Sequence, residues 1–391
     1  MITIRRQLLG LGFVAASSLL AIHAAQAMSG PQAITIDGGP LGDLEVSGGV
    51  DGYGYVVNNT AGNQQSTGMN MGNGMFEVQK ATGELQFTIE VGATSSQTLG
   101  TLFYDDRGHL NEATVNNYVT GPLYAGYVTL APKGSPVTIS VGQLNSLEGY
   151  EATLDYQNAV QFTSLLWYVQ NSQARGVQAT LTEGPVTASV QFGDGWDTGV
   201  WNTVQGLLSY TIDSNNAANV YGADNLGKTG PNTFAYGGGQ NGLGNAYVNN
   251  WMVGAYYSFT HGNFNLVPEV QYQYAKTDHQ IGIEGPSSNF GAALFNDYTF
   301  ANTPYSIGSW IEYFDSHSSS AANYSWAIGP NAEAIGVAVA PTWQYKYLFA
   351  RANAGYIYLL HNKDANGATY GYGNDNSKGQ FTGTLEAGLL F

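Results

Sequence analysis

The sequence predicts an all-β fold, a transmembrane antiparallel β-barrel of about sixteen strands. Three observations predict it. Apolar and polar residues alternate with period two through most of the chain. Only 10 % of the 391 residues are charged, although 43 % are hydrophobic. The chain ends in an alternating stretch whose last residue is Phe391. Beyond the N-terminus there is no run of roughly 18 apolar residues, which a membrane-spanning helix would need.

The first 27 residues have the pattern of a secretory signal peptide. Arg5 and Arg6 precede an apolar stretch at 8–21, and Ala25-Gln26-Ala27 has the small-residue pattern of a cleavage site. This pattern predicts Met28 as the first mature residue and 28–391 as a single outer-membrane barrel domain. A first membrane helix is the alternative, for which the apolar run is short. The sequence leaves open whether export uses the general or the twin-arginine route.

The alternation defines the strands of the barrel. In one example, Leu85, Phe87 and Ile89 share one face while Gln86 and the other polar residues share the opposite face. The predicted strands are 44–57, 83–93, 97–104, 120–131, 136–143, 174–183, 185–193, 201–212, 217–223, 247–260, 263–276, 291–301, 305–316, 333–345, 348–361 and 379–391. Residues 144–173 are left out of the wall partly to keep the number even, so twelve, fourteen or eighteen strands stay open.

The connections and the aromatic residues also indicate a membrane barrel. Tight turns, such as that near Gly184, alternate with long polar loops, such as 224–246 and 362–378. Outer-membrane barrels have short periplasmic turns and long external loops, with aromatic girdles at both interfaces. Aromatic residues near strand ends fit such girdles: Trp343, Tyr345, Tyr347, Tyr356 and Tyr358.

The last strand resembles the C-terminal assembly signal of bacterial outer-membrane barrels. Phe381, Leu385, Leu389 and Phe391 share its apolar face. We therefore expect Phe391 to act as an assembly signal that the barrel-assembly machinery recognises.

Residues 144–173 interrupt the strand pattern. They are too polar to span lipid and too apolar for a solvated loop, which predicts a constriction segment folded into the barrel. Glu148, Glu151 and Asp155 would then lie near the narrowest point. The alternative is an ordinary hairpin, with 160–170 as a further strand.

The strand pattern predicts a few charged residues on the lumen face: Glu90, Glu269, Glu312, Arg351 and Glu386. Arg351 either lines the permeation path or pairs with a neighbouring carboxylate. An acidic lumen raises the local cation concentration and repels anions, so a preference for cations is expected.

Several short motifs resemble the OmpL-like group of beta-barrel porins. They are 75–83 (MFEVQKATG), 141–151 (VGQLNSLEGYE), 173–178 (QARGVQ), 184–186 (GPV) and 206–210 (GLLSY). The resemblance implies a bacterial outer-membrane channel and carries over no catalytic residues. Well-known trimeric porins have a strongly basic ladder at the constriction, and this chain has only 12 Lys and Arg residues, which argues against strong anion selectivity.

These observations predict a porin for passive diffusion of small hydrophilic solutes or ions, with a weak preference for cations. Outer-membrane lipid and lipopolysaccharide are its expected surroundings, and a homotrimer stays open. One alternative is a substrate-specific channel, for example for sugars, with Tyr53, Tyr55 and Trp310 stacking on the solute. Another is a structural or adhesive barrel without transport.

Other functions are disfavoured. Asp278-His279 is the only adjacent acid–histidine pair of the mature chain and falls in a predicted loop, so no enzyme is expected. A net charge of −16 repels nucleic acid. Without cysteine there is no thiolate metal site, and no metal or other cofactor is expected.

Overall fold

A computed structural model describes residues 28, 31–60, 65–95, 97–100, 122–171, 173–196, 198–230 and 244–391. The predicted signal peptide lies outside these residues. Within them, no helix has the length and apolar character that crossing a membrane would require.

The secondary structure is almost entirely β. In chain order the strands are β1 (Ile34–Asp37), β2 (Asp43–Val57), β3 (Thr67–Lys80), β4 (Leu85–Thr94), β5 (Gln97–Thr98), β6 (Leu123–Leu130), β7 (Val137–Asn145), β8 (Phe162–Thr163), β9 (Gln173–Glu183), β10 (Val186–Gly193), β11 (Thr203–Asp213), β12 (Asn216–Asn225), β13 (Trp251–His261), β14 (Phe264–Ala275), β15 (Ser287–Thr299), β16 (Tyr305–Ser318), β17 (Ala332–Tyr345), β18 (Leu348–Asn362) and β19 (Gly379–Leu390). Two short α-helices are described, α1 (Leu165–Tyr168) and α2 (Gly244–Val248).

Sixteen of these strands form one closed antiparallel barrel, as predicted. Each wall strand pairs with its neighbours in sequence, and the barrel closes where β19 pairs with β2, with Glu386 opposite Tyr53. Closure leaves no open sheet edge in the wall, so the backbone groups of the spanning strands are paired within the sheet. β1 pairs with the start of β2, and β5 pairs in parallel with β8.

The predicted number of strands is correct, but one predicted strand is wrong and one was missed. In the stretch 97–104, only Gln97–Thr98 forms a strand among the described residues, and it pairs with β8 instead of the wall. The missed wall strand is β3. Its pairing register with β2 shifts near Gly72 and Asn73, and this bulge breaks the period-two pattern.

The two faces of the wall differ as the alternation predicts. On β14, Val270 and Tyr272 face outward and are exposed, whereas Glu269, Gln271 and Gln273 face inward. The tight turns lie at the end of the barrel that holds Phe391, and the long loops lie at the other end. This arrangement agrees with the predicted alternation of short and long connections.

Candidate functional site inside the barrel

The chain between β7 and β9, residues 146–171, lies against the inward-facing side chains of the wall, and we call it the inner segment. Trp310 on β16 donates its indole N–H to the carbonyl of Phe162, at 2.9 Å. Gln273 on β14 donates to the carbonyl of Val169, at 2.7 Å. Because these wall residues point into the barrel, the inner segment occupies part of the lumen.

The inner segment carries an apolar surface that packs on one side of the wall. Phe162, Leu165, Leu166 and Val169 are fully buried, together with Leu99 after β5. Burying such side chains contributes about 1.5–3 kcal/mol each, which holds the segment in place without charged groups.

Small residues on the inner face of β15–β18 form the surface that receives this segment. A Cβ atom at Gly308 would lie 2.4 Å from the carbonyl oxygen of Ala159, and one at Gly291 would lie 2.6 Å from Cγ of Leu166. On β17 most inward positions are alanines, including Ala334 and Ala338. Larger side chains at these positions would keep the segment away from the wall.

One buried arginine binds the inner segment to the wall. Arg351 on β18 pairs with Glu386 on β19, with Nε to Oε2 at 2.8 Å and Nη2 to Oε1 at 3.0 Å. Its Nη1 also donates to the carbonyl of Asn158, at 2.8 Å, and more weakly to that of Asp155. Both side chains of the ion pair have 0 % exposure. The structure thus places Arg351 in a pair with a carboxylate, one of the two predicted arrangements.

Two more carboxylates lie beside this ion pair. Oxygen atoms of Asp51, Asp155 and Glu386 all lie within 4.8 Å of one another. The amide of Asn73 donates to both Asp51 and Asp155, which connects the inner segment with β2 and β3. We call Asp51, Asp155, Arg351 and Glu386 the Arg351 cluster.

Glu269 and Glu312 also hold the inner segment instead of standing free in the lumen. Glu312 accepts the backbone N–H of Leu165, at 2.7 Å. Glu269 accepts the hydroxyl of Tyr221 at 2.6 Å and the amide of Gln170 at 3.4 Å. Each acid therefore binds a donor from the inner segment.

Two acids of the inner segment bind within that segment. Glu151 accepts the backbone N–H and the hydroxyl of Ser164, just before α1. Glu148 accepts the backbone N–H of Asn171, at 2.7 Å. Burial raises the pKa of Glu148 to about 8, because the charged form is poorly solvated there.

This raised pKa predicts how barrel stability depends on pH. A carboxyl whose pKa is higher in the folded protein favours folding in its protonated form, so its contribution is present at low pH and is lost as pH rises toward 8. Glu148→Gln should therefore stabilise the barrel relative to wild type at about pH 9 and change little near pH 4. Urea titrations of the purified barrel at both pH values check this. Equal differences at the two values would contradict it.

Glu90 lies apart from the Arg351 cluster, nearer the end with the tight turns. It faces Glu77 across the β3–β4 pair. Both border a cavity of about 300 Å³ that also contacts Tyr156 and Phe391. Nearby, Met28 is buried against Phe349 and Leu390, which face inward.

The structure brings together three predicted residues, Asp155, Arg351 and Glu386. Glu151 lies close enough to Glu269 and Glu312 to interact electrostatically with both. Glu90 lies on β4, and Glu148 bonds to Asn171 within the inner segment. Sequence reasoning missed Asp51 and Asn73. The signal for Asp51 was present, since it shares its face of β2 with Tyr53 and Tyr55. Tyr53 and Trp310, candidates for sugar stacking, are each 2 % exposed.

Comparison with solved structures gives the same fold. The chain is similar to an anion-selective porin from Comamonas acidovorans, with 12 % identity, a TM-score of 0.56, and coverage of 89 % of this chain and 99 % of that chain. It is also similar to Salmonella typhi OmpF in complex with daunomycin, with 12 % identity, a TM-score of 0.57, and 92 % and 100 % coverage. In-vitro folded OmpT of Vibrio cholerae has 12 % identity, a TM-score of 0.55, and 90 % and 98 % coverage.

The search of curated proteins found no match. The family model described as Putative beta-barrel porin-2, OmpL-like, matches residues 43–391, which confirms the resemblance of the sequence motifs. Family and fold together place the chain in the bacterial outer membrane as a general channel and suggest a channel rather than an enzyme. The chain belongs to the OmpL-like family of beta-barrel porins.

Proposed function

We propose that the barrel is a water-filled channel for passive diffusion of small hydrophilic solutes or ions, without catalysis. The observation that carries this proposal is the polar inner wall on the side away from the inner segment. There, side chains such as Thr129, Ser140, Thr180 and Ser189 face inward and bond to each other in pairs. Neutral polar side chains favour water over lipid on this inner face and carry no charge that would bind an ion strongly. The inner segment narrows this path and sets its size limit.

Uptake into liposomes tests this function. Liposomes that contain the purified barrel should swell in sugars of low mass and swell progressively less as the sugar becomes larger. Empty liposomes are the control. No swelling with any sugar or amino acid would contradict a diffusion channel, and saturable swelling with one sugar would favour the substrate-specific alternative.

We further propose a weak preference for cations, because acids outnumber the described cation on the inner surface. Besides Glu148, whose raised pKa of about 8 keeps it mainly protonated at neutral pH, the acids on the inner face or inner segment are Asp51, Glu77, Glu90, Glu151, Asp155, Glu269, Asp297, Glu312 and Glu386. Arg351 is the cation on that surface within the described parts of the chain, and it is paired with Glu386. In a salt gradient, the reversal potential should have the sign expected when cations permeate more readily than anions. An anion-selective potential would contradict this preference alone.

We propose a homotrimer, supported by an uneven aromatic belt. Among the described residues, every exposed Tyr and Trp lies between Trp201 and Tyr358, so the outer face that runs from β19 through β2 to β10 has none, and its exposed aromatic side chains are Phe76, Phe192 and Phe381. That face is rich in glycine and carries Met69 and Leu385, which are 87 % and 73 % exposed. Tyr and Trp are enriched where a wall meets the lipid interface, so a wall whose exposed aromatic side chains are all Phe fits contact with another copy.

Vibrio cholerae OmpT, which has this fold, is known in a trimer form. Size-exclusion chromatography with light scattering, on barrel purified from membranes in mild detergent, should give the mass of three chains. Met69→Arg/Leu385→Arg should give single chains. A monomeric wild-type barrel would exclude the homotrimer without affecting the channel proposal.

We propose that the barrel-assembly machinery recognises Phe391. In the folded barrel its backbone pairs with Gly48, and its ring lies 6.3 Å from that of Phe76. Phe391→Ala should reduce the amount of folded barrel in the outer membrane, because the terminal signal is weakened. Phe76→Ala removes the ring contact but keeps the terminal residue, so it is the matched control. Equal loss in both variants would indicate packing alone.

A further inference from the structure

We propose that Arg351 positions the inner segment and so sets the width of the diffusion pathway. The second half of this statement rests on the proposed channel function, whereas the first half concerns the folded barrel alone.

The geometry of the guanidinium group supports this role. Its planar fork presents five N–H donors, which match a carboxylate with two parallel bonds and leave others free. Glu386 takes two of these bonds, and the remaining donors reach the carbonyl oxygens of Asp155 and Asn158. These are backbone contacts, so Arg351 fixes the path of the main chain itself.

The Arg351 cluster lies where the barrel closes. Glu386 lies on β19 and Asp51 on β2, the two strands whose pairing closes the barrel. Asp155 reaches them from the inner segment. The middle of the inner segment, near 155–158, is therefore held across the closing pair of strands.

Electrostatics explains why the anchor needs a cation. Oxygen atoms of three acidic side chains lie within 4.8 Å of one another, and those that are ionised repel each other unless a cation lies among them. Arg351 is the cation described among them. Removing it breaks the carbonyl contacts and leaves the three acids without a cation.

Other contacts hold the rest of the inner segment independently. Gln161 bonds to Asn353 and Thr384, and Leu165 bonds to Glu312. Loss of Arg351 should therefore release the stretch 155–160 first. Val160, which is 2 % exposed, is a suitable place to detect that release.

The natural absence of cysteine allows a direct test. A Val160→Cys reporter gives the barrel a single thiol, whose reaction rate with a water-soluble maleimide reports exposure. With Arg351 present the reporter should react slowly, and Arg351→Met should raise its rate. Ala368→Cys, on an exposed loop, is the control reporter and should react at one rate in both backgrounds.

Arg175→Met is the matched control variant. Arg175 also pairs through two nitrogen atoms with a buried acid, Asp194. Its Nε lies 2.8 Å and its Nη2 lies 2.7 Å from Oδ2 of Asp194. Arg175 lies on β9, well away from β18 and β19 around the wall, so the labelling rate at Val160→Cys should not change. If Arg351→Met yields no folded barrel, Arg351→Lys replaces it, since one ammonium group cannot reproduce the fork.

Each outcome decides one half of the proposal. An unchanged labelling rate at Val160→Cys in every folded Arg351 variant would overturn the positioning role. Increased labelling together with new or noisier conductance levels in lipid bilayers would support both halves. Increased labelling with wild-type conductance would overturn the claim about width. A wild-type barrel that does not conduct would overturn the channel function, while the labelling result would still decide the positioning role.

Discussion

Arg351→Met is expected to lower the free energy of unfolding of the barrel by about 3–5 kcal/mol, because breaking a buried ion pair leaves an uncompensated buried charge. The variant leaves Glu386, whose side chain has 0 % exposure, and the neighbouring Asp51 and Asp155 without their cation. Methionine is similar in size but offers none of the hydrogen bonds of the guanidinium group. Urea unfolding in detergent, followed by tryptophan fluorescence, measures the difference.

Two comparisons separate this charge effect from general damage. Arg175→Met should cost less, since Arg175 is 33 % exposed and Asp194 keeps backbone donors from Arg175 and Gly199. Arg351→Met/Glu386→Gln should recover part of the loss, because the second change removes an unpaired charge. If Arg351→Met were no more destabilising than Arg175→Met, the Arg351 cluster would not hold the structure together.

Gly308→Val is expected to displace the inner segment and to destabilise the barrel by about 1–3 kcal/mol, the usual cost of overpacking. A Cβ atom at this position would lie 2.4 Å from the carbonyl oxygen of Ala159 and 2.7 Å from its Cβ. Both belong to the inner segment, which must move because the β16 wall strand is fixed by pairing on both sides. Conductance of the purified barrel and urea unfolding measure the two effects.

The matched control for this change is Gly206→Val on β11. Its Cβ atom would meet nothing closer than 3.7 Å, so it should leave both measurements nearly unchanged. A Gly308→Val barrel with wild-type conductance and stability would contradict the close packing of the inner segment on β16.

The sequence predicts the wall strands of the barrel better than it predicts the position of the inner segment. The alternation along β14 or β18 shows which residues of that strand share a face. This local pattern is enough to predict the strand and its inward-facing acids, such as Glu269. β3 was missed because the bulge at Gly72 and Asn73 breaks the period. A bulge depends on pairing with the neighbouring strand, which the sequence of β3 alone does not contain.

The Arg351 cluster was only partly predictable for a similar reason. Arg351 and Glu386 face each other on adjacent strands, and the alternation places both inside. Asp155 reaches them from a segment almost 200 positions earlier in the chain than Arg351, and no periodic pattern gives such a distance. The inward glycines and alanines of β15–β18 were a usable signal, since small residues on a lumen face indicate that something packs there.

The central claim, a water-filled channel in the outer membrane, is tested most directly by planar-bilayer recording of the purified wild-type barrel. The account predicts stepwise insertions with ohmic conductance and, in a salt gradient, a reversal potential on the cation side. Folded barrels that insert into the bilayer and carry no current would contradict it.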